Sequence, residues 1–325
     1  MRCSYVYRLV CVLLASVFVT APAAGQSGDT RYTRTPAGTT VEEVLVTGEH
    51  PGPGMWKVVH GDHTLWILGT QAPLPRRLIW RSEEVEFAIS EAQQVLDAYS
   101  ASFSVRGGNP LAMKGKPLRR LLPRRAYSQW RALKAKYIGD DAEIETALPV
   151  TAALILRSNA LAQAGLGNSD IVLRELHRLA QAYNVPVTND HQVTKIIANV
   201  PTDAEAQQRG VAFLIETMKN LEEDLRAARA RANAWAIGDI DALRAQAAED
   251  TNIARLYASS WPYLTDAELA ALTQETDAKW LAAAEKALQR NQTTVASLPI
   301  FMLLRPDGLL AELRARGFEV IEPVY

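Results

Sequence analysis

Two apolar runs, Met55-Trp56-Lys57-Val58-Val59 and Thr64-Leu65-Trp66-Ile67-Leu68, flank the tetrapeptide His60-Gly61-Asp62-His63. Gly61-Asp62 suits a two-residue turn with glycine first, so this stretch reads as a β-hairpin that sets His60 opposite His63. From about Arg81 the apolar period becomes helical. Ser82 to Ala92 reads as a short amphipathic helix, followed by a buried strand over Gln94–Ala98. Residues 124–183 carry three helical stretches, and Val185-Pro186-Val187-Thr188 is a further short strand. The longest helix follows a capping box, Thr202-x-x-Glu205, with Val211, Leu214, Met218, Leu221 and Leu225 as its apolar stripe. A second capping box, Thr265-x-x-Glu268, opens a helix running towards Gln289. The chain closes with strand Thr293–Leu298, turn Arg305-Pro306-Asp307-Gly308, helix Leu309–Arg316, a stop at Gly317 and strand Phe318–Ile321. Strands cluster at both ends of the chain around a long helical insert. This predicts an α/β protein whose mixed central sheet is built from N- and C-terminal strands.

The first residues have a different pattern. Arg2 and Arg8 precede an unbroken run from Leu9 to Thr20 and the small residues Ala21-Pro22-Ala23-Ala24. That is the layout of a cleavable secretory signal over residues 1–24, and its apolar run is too short to cross a bilayer as a helix. The protein is therefore expected to be exported, periplasmic or secreted, with no transmembrane span once the signal is gone. Residues 25–53, rich in Gly, Thr, Pro and Ser, read as a flexible tail or linker, with one folded domain over 54–325. Inside the tail, Val41-Glu42-Glu43-Val44-Leu45-Val46-Thr47-Gly48 is a β-prone string. It looks like the energy-coupling box of some outer-membrane receptors, but no barrel follows, and edge strand or linker is the better reading.

Composition narrows the chemistry. With 35 Lys+Arg against 36 Asp+Glu there is no basic field for nucleic acid. Both cysteines, Cys3 and Cys11, fall in the signal, so the exported chain has neither a disulfide nor a thiol nucleophile. The chain contains no phosphate-cradling glycine loop, no G-x-S-x-G and no H-E-x-x-H. Its five histidines, at 50, 60, 63, 177 and 191, are scattered. His177 reads as a solvated or half-buried helix position and His191 as a turn residue. The His60/His63 pair reads as a solvated turn, since no third ligand is close in sequence.

Four segments together resemble the TraB/GumN family: Gly54-Met55-Trp56-Lys57-Val58, Leu65-Trp66-Ile67-Leu68-Gly69-Thr70, Ala234-Trp235-Ala236-Ile237-Gly238-Asp239, and Gly308-Leu309-Leu310 with Arg316-Gly317-Phe318-Glu319-Val320. The resemblance implies an erythromycin-esterase/ChaN-like α/β fold. It also implies, for some relatives, a metal-dependent hydrolase built on two G-x-x-H motifs, a carboxylate and an arginine. Paired imidazoles and a carboxylate suit a divalent ion that activates water and polarises a carbonyl. This chain departs from the pattern at both motifs. The first reads Gly69-Thr70-Gln71-Ala72 and the second Pro299-Ile300-Phe301-Met302, so an alanine and a methionine stand where histidines are expected. In Val95-Leu96-Asp97-Ala98 the carboxylate is one residue off register, and near Glu275-Thr276-Asp277 the expected Arg-Asn pair has no clear counterpart.

The sequence therefore favours a catalytically inactive, exported scaffold that binds an unidentified protein or envelope ligand without a cofactor. It predicts an apolar cleft near Ala72, Asp97 and Met302. The alternative is a metal-dependent, peptidase-like hydrolase whose degenerate or relocated site draws on Asp97, Asp190, His191, His60 and His63, with a divalent metal as cofactor. A third reading, an envelope-assembly or polysaccharide-export accessory protein, follows only from the resemblance.

Overall fold

The hairpin anchors the main sheet. In the computed structural model, which describes residues 6–9, 45–106, 113–167, 171–197, 203–249 and 264–323, its strands are Trp56–His60 and His63–Thr70. Gly61 turns the chain at φ 63°, a conformation that costs glycine nothing because it lacks Cβ. Numbered along the chain, Val6–Leu9 is β1, Gly48–His50 β2, the hairpin β3 and β4, Leu74–Pro75 β5 and Leu78–Trp80 β6. Helix α1, Glu83–Ser90, starts as expected at Ser82, whose hydroxyl accepts the Val85 N–H at 3.3 Å. Strands β7, Gln94–Leu96, and β8, Ala101–Arg106, follow.

The helical insert comprises α2 (Leu118–Leu121), α3 (Arg124–Tyr137), α4 (Pro149–Gln163), α5 (Ile171–Ala182), α6 (Ala204–Ala236) and α7 (Ile240–Glu249). Three short strands interrupt it: β9 (Leu166–Gly167), β10 (Val187–Thr188) and β11 (Val193–Ile197). The C-terminal part runs through α8 (Asp266–Arg290), β12 (Thr293–Pro299), α9 (Ile300–Leu303), α10 (Leu309–Ala315) and β13 (Glu319–Ile321).

The main sheet has the order β10-β7-β12-β4-β3-β13. The four strands β10, β7, β12 and β4 are parallel, and β3 and β13 add antiparallel at one edge. It is the expected mixed sheet from both ends of the chain, extended by β10 from the insert. Strand β12 is buried at its five central positions, as a parallel strand covered on both faces should be. The apolar stripe of α6 is core: Leu214, Met218, Leu221 and Leu225 are buried.

Several details differ from the sequence expectation. The strand expected over Gln94–Ala98 ends at Leu96, because the Asp97 carboxylate takes the Ala98 N–H at 2.8 Å and bends the chain. Helix α6 is capped by Asp203, which accepts the Ala206 N–H at 2.8 Å; Thr202 lies outside the described residues. The box at Thr265 and Glu268 is present as predicted. Strands β8 and β11 go beyond the expectation and join β1 in a separate sheet of order β1-β8-β11. Strand β1 falls within the segment expected to leave on export.

Packing begins earlier than Gly54. Of the β-prone string, Val41–Val44 lie outside the described residues. Val46 N–H reaches Asn233 Oδ1 at 3.0 Å, and Gly48 opens β2, which pairs in parallel with β6. An energy-coupling box needs a free strand, and this half of the string is already bonded to the body of the protein.

The A-W-A-I-G-D segment has a structural explanation. Trp235, fully buried, donates its indole N–H to the Gly69 carbonyl at 2.7 Å and so ties α6 to the end of β4. Gly238, at φ 76°, ends the helix in the left-handed region. Asp239 then accepts the Ala242 N–H at 2.9 Å and caps α7.

Candidate functional site

Strands β4 and β12 are in register with Gly69 beside Leu298 and Thr70 beside Pro299. The two segments that ought to carry histidines therefore start side by side, at the carboxyl ends of adjacent parallel strands. That end of an open α/β sheet is where ligands usually sit. Gly69 has no room for a side chain, since a Cβ there would stand 2.9 Å from Ile300 Cγ1. Thr70 donates its hydroxyl to the Leu298 carbonyl at 3.3 Å. Pro299 forms the N-cap of α9, and half-buried Met302 lies within that short helix.

The donor set does not fit the divalent ion that the resemblance implies. Ala72 offers a methyl group and Met302 a thioether, and neither is a useful ligand for a hard or borderline dication. Among the described residues no three His, Cys, Asp or Glu side chains are grouped to hold a metal.

Of the alternative polar candidates, Asp97 and His191 meet, while His60 and His63 lie apart from them. His60 and His63 face each other across the hairpin, at the amino end of β4 and so at the far end of the sheet from Thr70. The His60 ring packs edge-on against Phe318 at 5.4 Å, and His63 Nδ1 lies 2.6 Å from the Leu288 carbonyl. Asp190 is exposed. His191 is buried, but its Nε2 meets the backbone carbonyl of Asp97 at 2.9 Å, not the carboxylate.

The Asp97 carboxylate instead takes His177 Nε2, at 2.8 Å, with Gln192 Nε2 at 3.4 Å. His177 stands on α5, where the sequence predicts only a solvated or half-buried helix position. The link between α5 and β7 runs through β10, and no local pattern announces it.

A second polar cluster likewise has no local sequence signal. The Tyr99 hydroxyl donates to Asp277 Oδ1 at 2.7 Å, joining the segment after β7 to α8. Asp277 and Met302 line an open cleft of about 710 Å³ between the first half of α8, α10 and the turn at Arg305–Gly308. Neither Ala72 nor Asp97 lines it, and the cleft is not the wholly apolar one expected. Arg305 stands beside Asp277 but directs its guanidinium to Asp307, with both N–H···O contacts at 3.2 Å.

Burial pushes the Asp277 carboxyl above its ordinary value, and the Tyr99 hydrogen bond and the Arg305 charge only partly oppose this. The folded state thus holds this proton more tightly than the unfolded chain does. Its stabilising effect is complete below the ordinary carboxylate range and is lost as pH rises through the raised native value. Asp277→Asn keeps an oxygen for Tyr99 and removes the buried charge. In urea unfolding at about pH 7 the variant is expected to be at least as stable as wild type, and the difference should vanish near pH 3, where the carboxyl is protonated in both states. A clear loss of stability at neutral pH would contradict this. Glu268 has the opposite sign. The Thr265 backbone N–H and hydroxyl hold it below its usual value, so its contribution is lost as pH falls.

Compared with known proteins, residues 54–322 match the family model described as TraB/PrgY/gumN family. No curated protein and no solved structure gives a match.

Proposed function

We propose, from the premise that the chain belongs to the TraB/PrgY/gumN family, that it is an exported binding protein that does not carry out the hydrolysis of its metal-dependent relatives. The observation that carries this reading is the register of β4 and β12. It places the starts of both motifs at one end of the sheet, where the residues in the histidine positions are Ala72 and Met302. The same resemblance assigns the sheet an erythromycin-esterase/ChaN-like arrangement. Export follows from the layout of residues 1–24, and a protein or envelope component is the corresponding partner. Among the described residues no helix is long and apolar enough to cross a membrane.

The test is elemental analysis of the purified, untagged protein after exchange with Zn²⁺, Mn²⁺ and Co²⁺. No retained metal is the expected result, and about one metal per chain would overturn the reading. One observation favours the alternative of a relocated site: the 2.8 Å contact between His177 and Asp97, an imidazole oriented by a carboxylate. If metal is retained and then lost in His177→Ala, that second reading takes the place of the first.

A further inference from the structure

The cleft beside Asp277 carries a more specific assignment, resting on the reading above that this end of the sheet binds and does not hydrolyse. Its charge is unbalanced. Both arginines that line it are already engaged, Arg305 by Asp307 at 3.2 Å and Arg316 by Glu285 at 2.7 Å. Among the described residues, Asp277, Asp266 and Glu312 also line it, and none of the three has an ion-pair partner within 4.0 Å. An anionic ligand would find acceptor oxygens and, among the described residues that line the cleft, no unpaired cation. The half-buried Asp277 carboxylate is the innermost of these groups, with Tyr99 fixing one oxygen and the other left to accept.

Much of the remaining wall is apolar, with Thr273 and Gln274 as its polar members. Half-buried Met302 and Leu269 line the same cleft and keep apolar surface for a ligand to cover, while Leu281 and Leu309, which also line it, are already almost fully buried. A divalent ion would need several more oxygen ligands and gains nothing from such a wall. An organic body gains from it, and about 710 Å³ falls within the range of small-molecule sites. We propose that this cleft is a binding site for an organic ammonium ligand, with the ammonium group on Asp277 and an apolar body against Met302 and Leu269. Methionine suits this role because its flexible, polarizable side chain adapts to irregular apolar surfaces.

The probes are 4-phenylbutylammonium and 4-phenylbutyrate, which share an apolar body and carry opposite charges. They are titrated calorimetrically into the chelator-treated protein. The amine is expected to bind saturably and at least about tenfold more tightly than the acid. Asp277→Asn should weaken the amine by about tenfold or more and leave the acid unchanged. Met302→Lys places a tethered ammonium in the cleft and should abolish amine binding. It also keeps the test open if Asp277→Asn fails to fold. Equal binding of amine and acid overturns the proposal, as does amine binding indifferent to both variants. Either failure leaves the metal-free reading standing, whereas a retained metal overturns that reading without altering the titration.

Discussion

Trp235→Ala is expected to destabilise the protein by about 3–5 kcal/mol, the usual cost of truncating a fully buried large aromatic. In a chain of this size that lowers the melting temperature by roughly 10 °C. The argument rests on what the indole joins. Its N–H donates to the Gly69 carbonyl at 2.7 Å, and its ring packs against Trp80, with centroids 6.3 Å apart. It also sits beside Gly52, where a Cβ would come within 3.0 Å of the indole. One side chain thus ties together the end of α6, the end of β4 and the segment before β3. Trp235→Phe keeps most of the apolar contact and leaves the Gly69 carbonyl without its donor, so about 1–2 kcal/mol is expected there. Chemical denaturation of both variants separates the two contributions. A cost below about 1.5 kcal/mol for the alanine variant would show that the surroundings collapse into the space.

Gly238→Ala is expected to cost about 2–3 kcal/mol, far more than alanine costs at an unstrained position. At φ 76° any side chain is strained, and an added Cβ would lie 3.0 Å from the Gly52 carbonyl oxygen. That carbonyl cannot easily retreat. Gly52 is hemmed in by the Trp235 and Trp80 rings, and its own N–H bonds the Ala236 carbonyl at 3.3 Å. Gly317→Ala is the matched comparison, because Gly317 has φ 88° but nothing within 4 Å of the added carbon. It should cost only the backbone strain, about 1 kcal/mol. Equal losses at the two positions in parallel urea titrations would show that the contact with Gly52 contributes nothing.

These two predictions concern a segment whose order is readable in the sequence but whose purpose is not. Trp235, Gly238 and Asp239 mark the resemblance to the family, yet their contacts are structural: a bond to Gly69, a helix stop and a helix cap. The degenerate motif positions follow the same logic. That Ala72 and Met302 are poor metal ligands is plain from their chemistry. That the two motifs begin side by side on adjacent strands, one residue out of register, is decided by the pairing of β4 and β12, whose residues lie more than 220 positions apart.

Local physics determined much of this protein from the sequence alone. The hairpin at Gly61, the Thr265–Glu268 capping box, the stripe of α6, the strand–helix–strand close of the chain and the gathering of terminal strands into one mixed sheet all come from turn chemistry and apolar periodicity. Such signals act between residues a few positions apart and survive in any context that buries the right face. Tertiary structure alone decided which polar groups meet. His177 reaches Asp97 across 80 positions and Tyr99 reaches Asp277 across 178, while His60 and His63, neighbours in sequence, remain at the opposite end of the sheet. Those pairings depend on how α5 and α8 settle against the strand ends. That placement is fixed by the packing of many apolar side chains together, and no short stretch of sequence encodes it.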